Sequence, residues 1–265
     1  MISNTIKKIF TVFGLEIRRK QLQKKQLITP QRTSMQASLQ HIKSLGFNPQ
    51  TIIDVGAAHG TDALFNVFPD SKHILIEPLK EFKERLTALN KEYSIIYIPK
   101  AVGAQKGELK INVHPDLYGT SLLQETDGNL YDGIARTIEV TTLDDIYKEN
   151  ALVAPIILKV DVQGYEIQVL EGGSLVMQQA EVVVLESSLF KFMKEGVDFY
   201  EIIHYMKQKG FVVYDMVEGH NRPLDDALAQ VDLVFVKEKG QLRNNHNWAT
   251  PQQRRELQER VKHYN

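Results

Sequence analysis

Four acidic residues stand at or near the ends of short apolar runs: Asp54 after Ile52-Ile53, Glu77 after His73–Ile76, Asp161 after Ile156–Val160 and Glu186 after Val182–Leu185. In an open α/β sheet, ligands bind beyond the carboxyl ends of the strands, so residues at those tips carry the chemistry. Asp54 opens the turn DVGAAHG, in which Gly56 and Gly60 bracket Ala57, Ala58 and His59. That Gly-x-x-x-Gly spacing is neither the Gly-x-Gly-x-x-Gly of a dinucleotide site nor a phosphate loop ending in Gly-Lys-Ser/Thr. A carboxylate there also opposes a pyrophosphate, because like charges are costly in a low-dielectric cleft. Glu77, followed by Pro78, can accept hydrogen bonds from both hydroxyls of a ribose. After the third run, Ala101 and Val102 offer small apolar surfaces against which an adenine ring can pack. A nucleoside bearing positive charge and no phosphate matches all of this, and S-adenosyl-L-methionine is such a ligand. His59 is placed to stack near its methionine part. Each feature alone also has an ordinary structural reading, as turn packing or as a solvated helix start.

These residues need a frame. Apolar runs recur at Ile52–Val55, His73–Ile76, Ile95–Ile98, Ile156–Val160, Val182–Leu185, Phe211–Tyr214 and Leu233–Val236, and several are apolar throughout, as strands covered on both faces are. Helical patterns separate most of them, at Asp62–Phe68, Leu79–Asn90, Tyr165–Leu170 and Phe199–Lys209. This alternation predicts an α/β fold with a doubly wound, mostly parallel, seven-stranded Rossmann-like sheet. No strong helix separates the last two strands, so the final one is expected to run antiparallel. The glycine-rich stretch 104–140 breaks the rhythm and reads as a β-hairpin and loop inserted after the third strand. Met35, Leu39, Ile42 and Leu45 mark a helix before the sheet, closed by Gly46. The expected domains are a helical extension over 1–48, the sheet domain over 49–240, and a basic helical tail over 241–265.

The formal net charge of −1 hides a partition. Residues 1–28 carry seven Lys/Arg against one acid, residues 242–265 five against two, and the body between them holds 20 basic and 30 acidic residues. Ile2, Ile6, Ile9, Phe13 and Ile17 fall at helical spacing, so 1–28 predicts a basic amphipathic helix. It suits packing on protein, a homo-oligomer contact, or a peripheral membrane surface. Nucleic acid is not expected as a partner, since no aromatic platform accompanies the charge. Thr250-Pro251 supplies an N-cap and first-turn proline for the tail helix. The chain has no cysteine, which removes disulfides, thiolate zinc sites and thiol nucleophiles. No apolar run approaches the roughly 20 residues of a membrane span, and no cleavable leader is evident. A cytoplasmic location, with membrane-peripheral contact as an option, is expected.

The succession DVGAAHG (54–60), LIEPLKEFKERL (75–86), KAVGAQKGELKI (100–111), TSLL (120–123), TLDDI (142–146), LKVDVQGYEIQVLEGG (158–173) and VVLES (183–187) resembles the FkbM-type methyltransferases. The resemblance spans about residues 50–237 and is carried most by the DVQGYE block with Lys159. It implies a class I S-adenosylmethionine-dependent enzyme, with Asp54, Gly56, Gly60 and Glu77 holding the cofactor. It also implies O-methylation of a hydroxyl, on a sugar or a polyketide-type product. Relatives often carry Glu where this chain has Gln163, which removes one carboxylate from the candidate bases.

Methyl transfer to oxygen requires alignment of the acceptor and removal of its proton. Asp161 is the first candidate for that base or for orienting the hydroxyl, and Glu186 the second. The two could instead bind a divalent metal such as magnesium, Asp161 could merely cap the next helix, and a histidine could be the base. Ser121, Tyr165, His114 and His220 are candidate acceptor contacts. His41, His73, His204, His246 and His263 read as surface positions. The expected reaction is methylation of a sugar hydroxyl in a glycan, glycolipid or glycosylated natural product. The alternatives are a non-sugar hydroxyl or nitrogen acceptor, or a non-catalytic cofactor-binding module of a glycan-assembly complex.

Overall fold

A computed structural model describes residues 30–262, apart from Asp116, Tyr118 and 127–132. The amphipathic helix expected over 1–28 lies outside the described residues. Residues Arg32–His246 form one compact unit. It starts with α1 (Met35–Ser44), whose N-terminus is capped by the Ser34 hydroxyl accepting from the Ala37 N–H at 3.2 Å. Gly46, at φ +91°, turns the chain out of that helix.

The order that follows is β1 (Thr51–Val55), α2 (Asp62–Val67), β2 (Lys72–Ile76), a 3-10 turn leading into α3 (Lys83–Ala88), and β3 (Ser94–Ile98). Then come β4 (Ala101–Val102), β5 (Gly107–Val113), β6 (Ile134–Thr141), α4 (Leu143–Glu149), β7 (Ile156–Val160), α5 (Glu166–Glu171) and α6 (Ser174–Gln179). The unit closes with β8 (Ala180–Ser188), α7 (Phe199–Gln208), β9 (Phe211–Asn221) and β10 (Leu228–Lys237). Seven strands form one sheet in the order β3-β2-β1-β7-β8-β10-β9. All run parallel except β10, which is antiparallel to both neighbours. The turn-rich segment between β9 and β10 leaves no helix to carry a crossover, so the chain returns as a hairpin. A second sheet, β4-β6-β5, contains the expected inserted hairpin.

The unbroken apolar runs follow from burial on both faces. Every residue of β1 and β7 is buried. Ile53, Val55, Leu158, Val160, Val183 and Leu185 pack on one face with α4, α5, α6 and α7. Ile52, Ile157, Val182 and Val184 pack on the other with Met35, Leu39 and Ile42 of α1 and with Leu64 and Val67 of α2. α4 and α6 were not expected as helices. They are seven and six residues long, and Thr142 caps α4 by accepting from the Asp145 N–H at 3.1 Å.

One histidine corrects the sequence reading. His73 is fully buried rather than superficial: its Nε2 lies 3.0 Å from the Phe68 carbonyl and its ring packs on Phe65, so burial lowers its pKa. Among the other four, His204 and His246 are exposed, His41 is half-buried, and His263 lies outside the described residues. The separate C-terminal helix α8 (Pro251–Lys262) starts as expected, with the Thr250 hydroxyl accepting from the Gln253 N–H at 3.2 Å.

The VLEGG glycines have a packing role. A Cβ on Gly172 would sit 2.1 Å from the Gly103 carbonyl oxygen, and one on Gly173 would sit 2.7 Å from the Leu143 side chain. Gly172→Ala must therefore push α5 and the strand-four segment apart. We expect it to lower the unfolding free energy from urea titration by about 1–3 kcal/mol, through a lower midpoint with an unchanged denaturant slope, the range of overpacked cores.

Candidate active site

A cleft of about 470 Å³ opens at the carboxyl ends of β1, β2, β7 and β8, within the size range of small-molecule sites. Its walls are largely apolar on one side, where Val55, Ile76, Leu79, Phe82, Ala101, Val102 and Ile111 meet Glu77 and Pro78. Residues 117 and 119–122 of the insertion line it, and its far side carries Asp161, Val162, Gln163, Glu186, His220 and Gln230.

Glu77 anchors the first half. Its carboxylate is 5 % exposed and accepts from the Ala58 N–H at 3.0 Å and the Leu79 N–H at 2.9 Å. Burial pushes its pKa up to about 7, against the pull of those two N–H groups, and Asp54 and Asp161 push the same way. A carboxylate offers about four lone-pair positions, so acceptor capacity remains for a diol. The turn beside it depends on Gly56, at φ +75°, where a Cβ would lie 1.8 Å from the Asp161 carbonyl. An apolar-walled cleft with one diol acceptor fits the nucleoside of S-adenosylmethionine. The lining acids Glu77, Asp161 and Glu186 suit its positive charge, and the lining Lys100 is already paired with Glu139.

The second half is a chain of charges. Lys159, 6 % exposed, places its Nζ 3.6 Å from Asp54 and 3.2 Å from Asp161. Burial would lower the Lys159 pKa, but Asp161, Asp54 and Asp232 outweigh it and raise it. Asp161 also accepts from the Gln163 amide at 3.2 Å, and the same nitrogen donates to Glu186 at 2.6 Å. Burial holds the Glu186 carboxyl well above the usual carboxylate range, and the charges of Asp161, Glu166 and Asp232 add to that, while Lys159 opposes it. Behind the turn, the buried Glu166 accepts from the N–H groups of Val162 and Gly164 at 3.3 and 3.0 Å. Burial raises its pKa to about 7, and that of Asp232 to about 6.

The sequence-derived candidates divide. Gly56, Glu77, Pro78, Ala101, Val102, Ser121, Asp161, Glu186 and His220 line the cleft; Asp54, Ala57, His59, Gly60, His114 and Tyr165 do not. Asp54 is fully buried against Lys159, and neither of its oxygens has a hydrogen-bond partner. Ala57 packs in the core below the turn, and His59 sits edge-on to Phe82 at 4.8 Å. Tyr165 packs against the main core, and the His114 N–H donates to the Thr120 hydroxyl at 3.1 Å. The Ser121 hydroxyl is spent on structure, donating to the Gln163 carbonyl at 2.8 Å and accepting from the Leu123 N–H at 3.0 Å. Ala101 and Val102 form β4, beside β6, rather than the tip of β3. Gln230, Leu79 and Phe82 went unread as site residues, and only strand pairing could have placed Gln230 opposite His220. Among the described residues, no group of three or more His, Asp and Glu side chains is placed to hold a metal ion.

This strand order, with its cleft at the strand tips, defines a class I methyltransferase. A family model for the methyltransferase FkbM domain matches residues 54–213, and the chain belongs to that family of S-adenosylmethionine-dependent methyltransferases. No curated protein matches the sequence. Solved structures with a similar fold include a precorrin-6y C5,15-methyltransferase from Geobacter metallireducens, at 12% identity and TM-score 0.41, covering 80% of this chain and 91% of that one. The N-methyltransferase NodS from Bradyrhizobium japonicum is 10% identical at TM-score 0.42, covering 76% and 93%. SMU.1697c from Streptococcus mutans, solved in complex with SAH, is 10% identical at TM-score 0.39, covering 77% and 99%.

A Glu77 that titrates near 7 predicts a pH-dependent cofactor affinity. Ligand hydroxyls donate to the ionised form, whose fraction rises about tenfold from pH 6 to pH 8. Calorimetric affinity for S-adenosylmethionine should strengthen over that interval, and Glu77→Gln should weaken binding and flatten the dependence.

Proposed function

We propose that the protein transfers the methyl group of S-adenosylmethionine to a hydroxyl of a sugar, in a glycan, glycolipid or glycosylated natural product. The observation that carries this reading is the Asp161–Gln163–Glu186 array in the same cleft as Glu77. When bound, the cofactor supplies an electrophilic methyl group. The chain's own residues supply the rest. Glu77 accepts from the ribose, and the apolar walls pack against the nucleoside.

A sugar hydroxyl is neutral and a poor nucleophile, so its proton must leave during attack. A general base works best with a pKa near the operating pH. Burial raises Glu186 above the usual carboxylate range, toward that pH, and makes it the stronger base, so it moves ahead of Asp161. Asp161 is held by Lys159 and by the Gln163 amide, which suits it to orient the hydroxyl. His220 and Gln230, paired across β9 and β10, supply further polar contacts for an acceptor with several hydroxyls. Membrane or homo-oligomer contact through residues 1–28 would place the enzyme near such acceptors, on the strength of their basic amphipathic pattern.

Substitution separates these roles. Glu186→Gln should retain S-adenosylmethionine affinity within about threefold and lose about 100-fold or more in methyl transfer to a sugar acceptor, the usual contribution of a general base. Asp161→Asn should also keep cofactor affinity and lose transfer, mainly through acceptor KM. Full turnover in Glu186→Gln would show that the base lies elsewhere.

A further inference from the structure

Gln163 occupies an unusual place in this cleft. It is a non-glycine residue at φ +53°, in the left-handed region that few side chains adopt without support. The support is visible on both sides. The Ser121 hydroxyl, itself buried, donates to the Gln163 carbonyl at 2.8 Å, and the buried Glu166 carboxylate holds the N–H groups of Val162 and Gly164. The pinned turn aims the amide nitrogen between two carboxylates, 3.2 Å from Asp161 Oδ1 and 2.6 Å from Glu186 Oε2. Ionised carboxylates only accept, so toward the ionised pair the amide presents its two N–H bonds, and both are used.

Two carboxylates that share a low-dielectric cleft ordinarily need a shared proton, a metal ion or a donor between them. Lys159 serves Asp161 through its other oxygen, Oδ2 at 3.2 Å, and forms no ion pair with Glu186. The remaining charged neighbours increase the demand. Glu166 of α5 and Asp232 of β10 add negative charge at Glu186, and His220 of β9 lines the same cleft.

We propose that Gln163 is a positioning residue standing where a cation would otherwise be required: its amide clamps Asp161 and Glu186 together across the tips of β7 and β8, so that the pair works as an acid–base site without a metal ion. The inference rests on the acid–base reading of this cleft, and its test does not depend on turnover. Gln163→Glu keeps the side-chain length but replaces the donor with a third carboxylate. Gln163→Asn keeps an amide that tolerates the left-handed backbone but falls one methylene short.

Two measurements on the full chain decide it. The first is calorimetric titration with Mn²⁺ alone. The wild type and Gln163→Asn should show no binding at millimolar Mn²⁺, and Gln163→Glu should bind it. The second is carboxyl ¹³C NMR on glutamate-labelled protein, with the Glu186 signal assigned by its loss in Glu186→Gln. Withdrawal of the donor in Gln163→Asn should raise the Glu186 midpoint by about one pH unit. A residue that merely shapes the turn would lower the melting temperature and leave the midpoint in place. Mn²⁺ binding by the wild type, no binding by a folded Gln163→Glu, or an unmoved midpoint in Gln163→Asn would each overturn the clamp. A moved midpoint together with a wild type that methylates no hydroxyl would instead overturn the proposed reaction and leave the clamp standing.

Discussion

One buried ammonium, that of Lys159, allows the acidic strand tips to coexist. Asp54 and Asp161 stand at the ends of neighbouring parallel strands, and without a cation between them the buried carboxylate of Asp54 and the half-buried one of Asp161 would repel in a medium that screens poorly. Lys159 and Asp161 lie two residues apart on an extended segment, so both project from the same face. Removing either member of the buried Asp54–Lys159 pair costs about 3–5 kcal/mol, chiefly because the other is left uncompensated. From Lys159 the compensation extends through Asp161 to the Gln163 amide and on to Glu186. Positive charge on a ligand in this cleft would meet the excess of carboxylate that remains.

On the proposed reading, function is divided along the sheet. The β1 and β2 tips present the glycine turn and Glu77 to a nucleoside, with apolar walls from β4 and β5. The β7, β8, β9 and β10 end presents carboxylates, an amide and an imidazole to an acceptor. The insertion joins the two halves, since Ser121 pairs with Asn112 of β5 and donates to the turn that carries Gln163. A residue chosen for its hydroxyl as an acceptor contact thus couples the insertion to the catalytic turn.

The frame was readable because strands buried on both faces leave continuous apolar runs, as in Ile52–Val55 and Ile156–Val160. The strand tips followed from the topology, which is why Glu77, Asp161 and Glu186 could be chosen before any coordinates. What failed to show in the sequence depends on distant pairing or on side-chain direction. Gln230 enters the cleft only through the register of β10 against β9, and Asp232 acts on Glu186 because the two are paired across β8 and β10. Of the glycine-turn candidates Gly56, Ala57, His59 and Gly60, Gly56 lines the cleft, while Ala57 turns into the core and His59 is exposed; Ala58, which was not a candidate, lines the cleft instead. Gln163 looked like a missing carboxylate, because its partners, 2 and 23 residues away, converge only at the folded turn.

The position of the transferred methyl tests the central claim most directly. The wild-type protein would be incubated with S-adenosylmethionine carrying a ¹³C methyl group and a panel of nucleotide sugars and lipid-linked sugars. The product would be examined by ¹³C NMR. The account predicts a labelled methyl carbon bonded to a sugar oxygen. A label found on nitrogen or carbon, with none on oxygen, would contradict it.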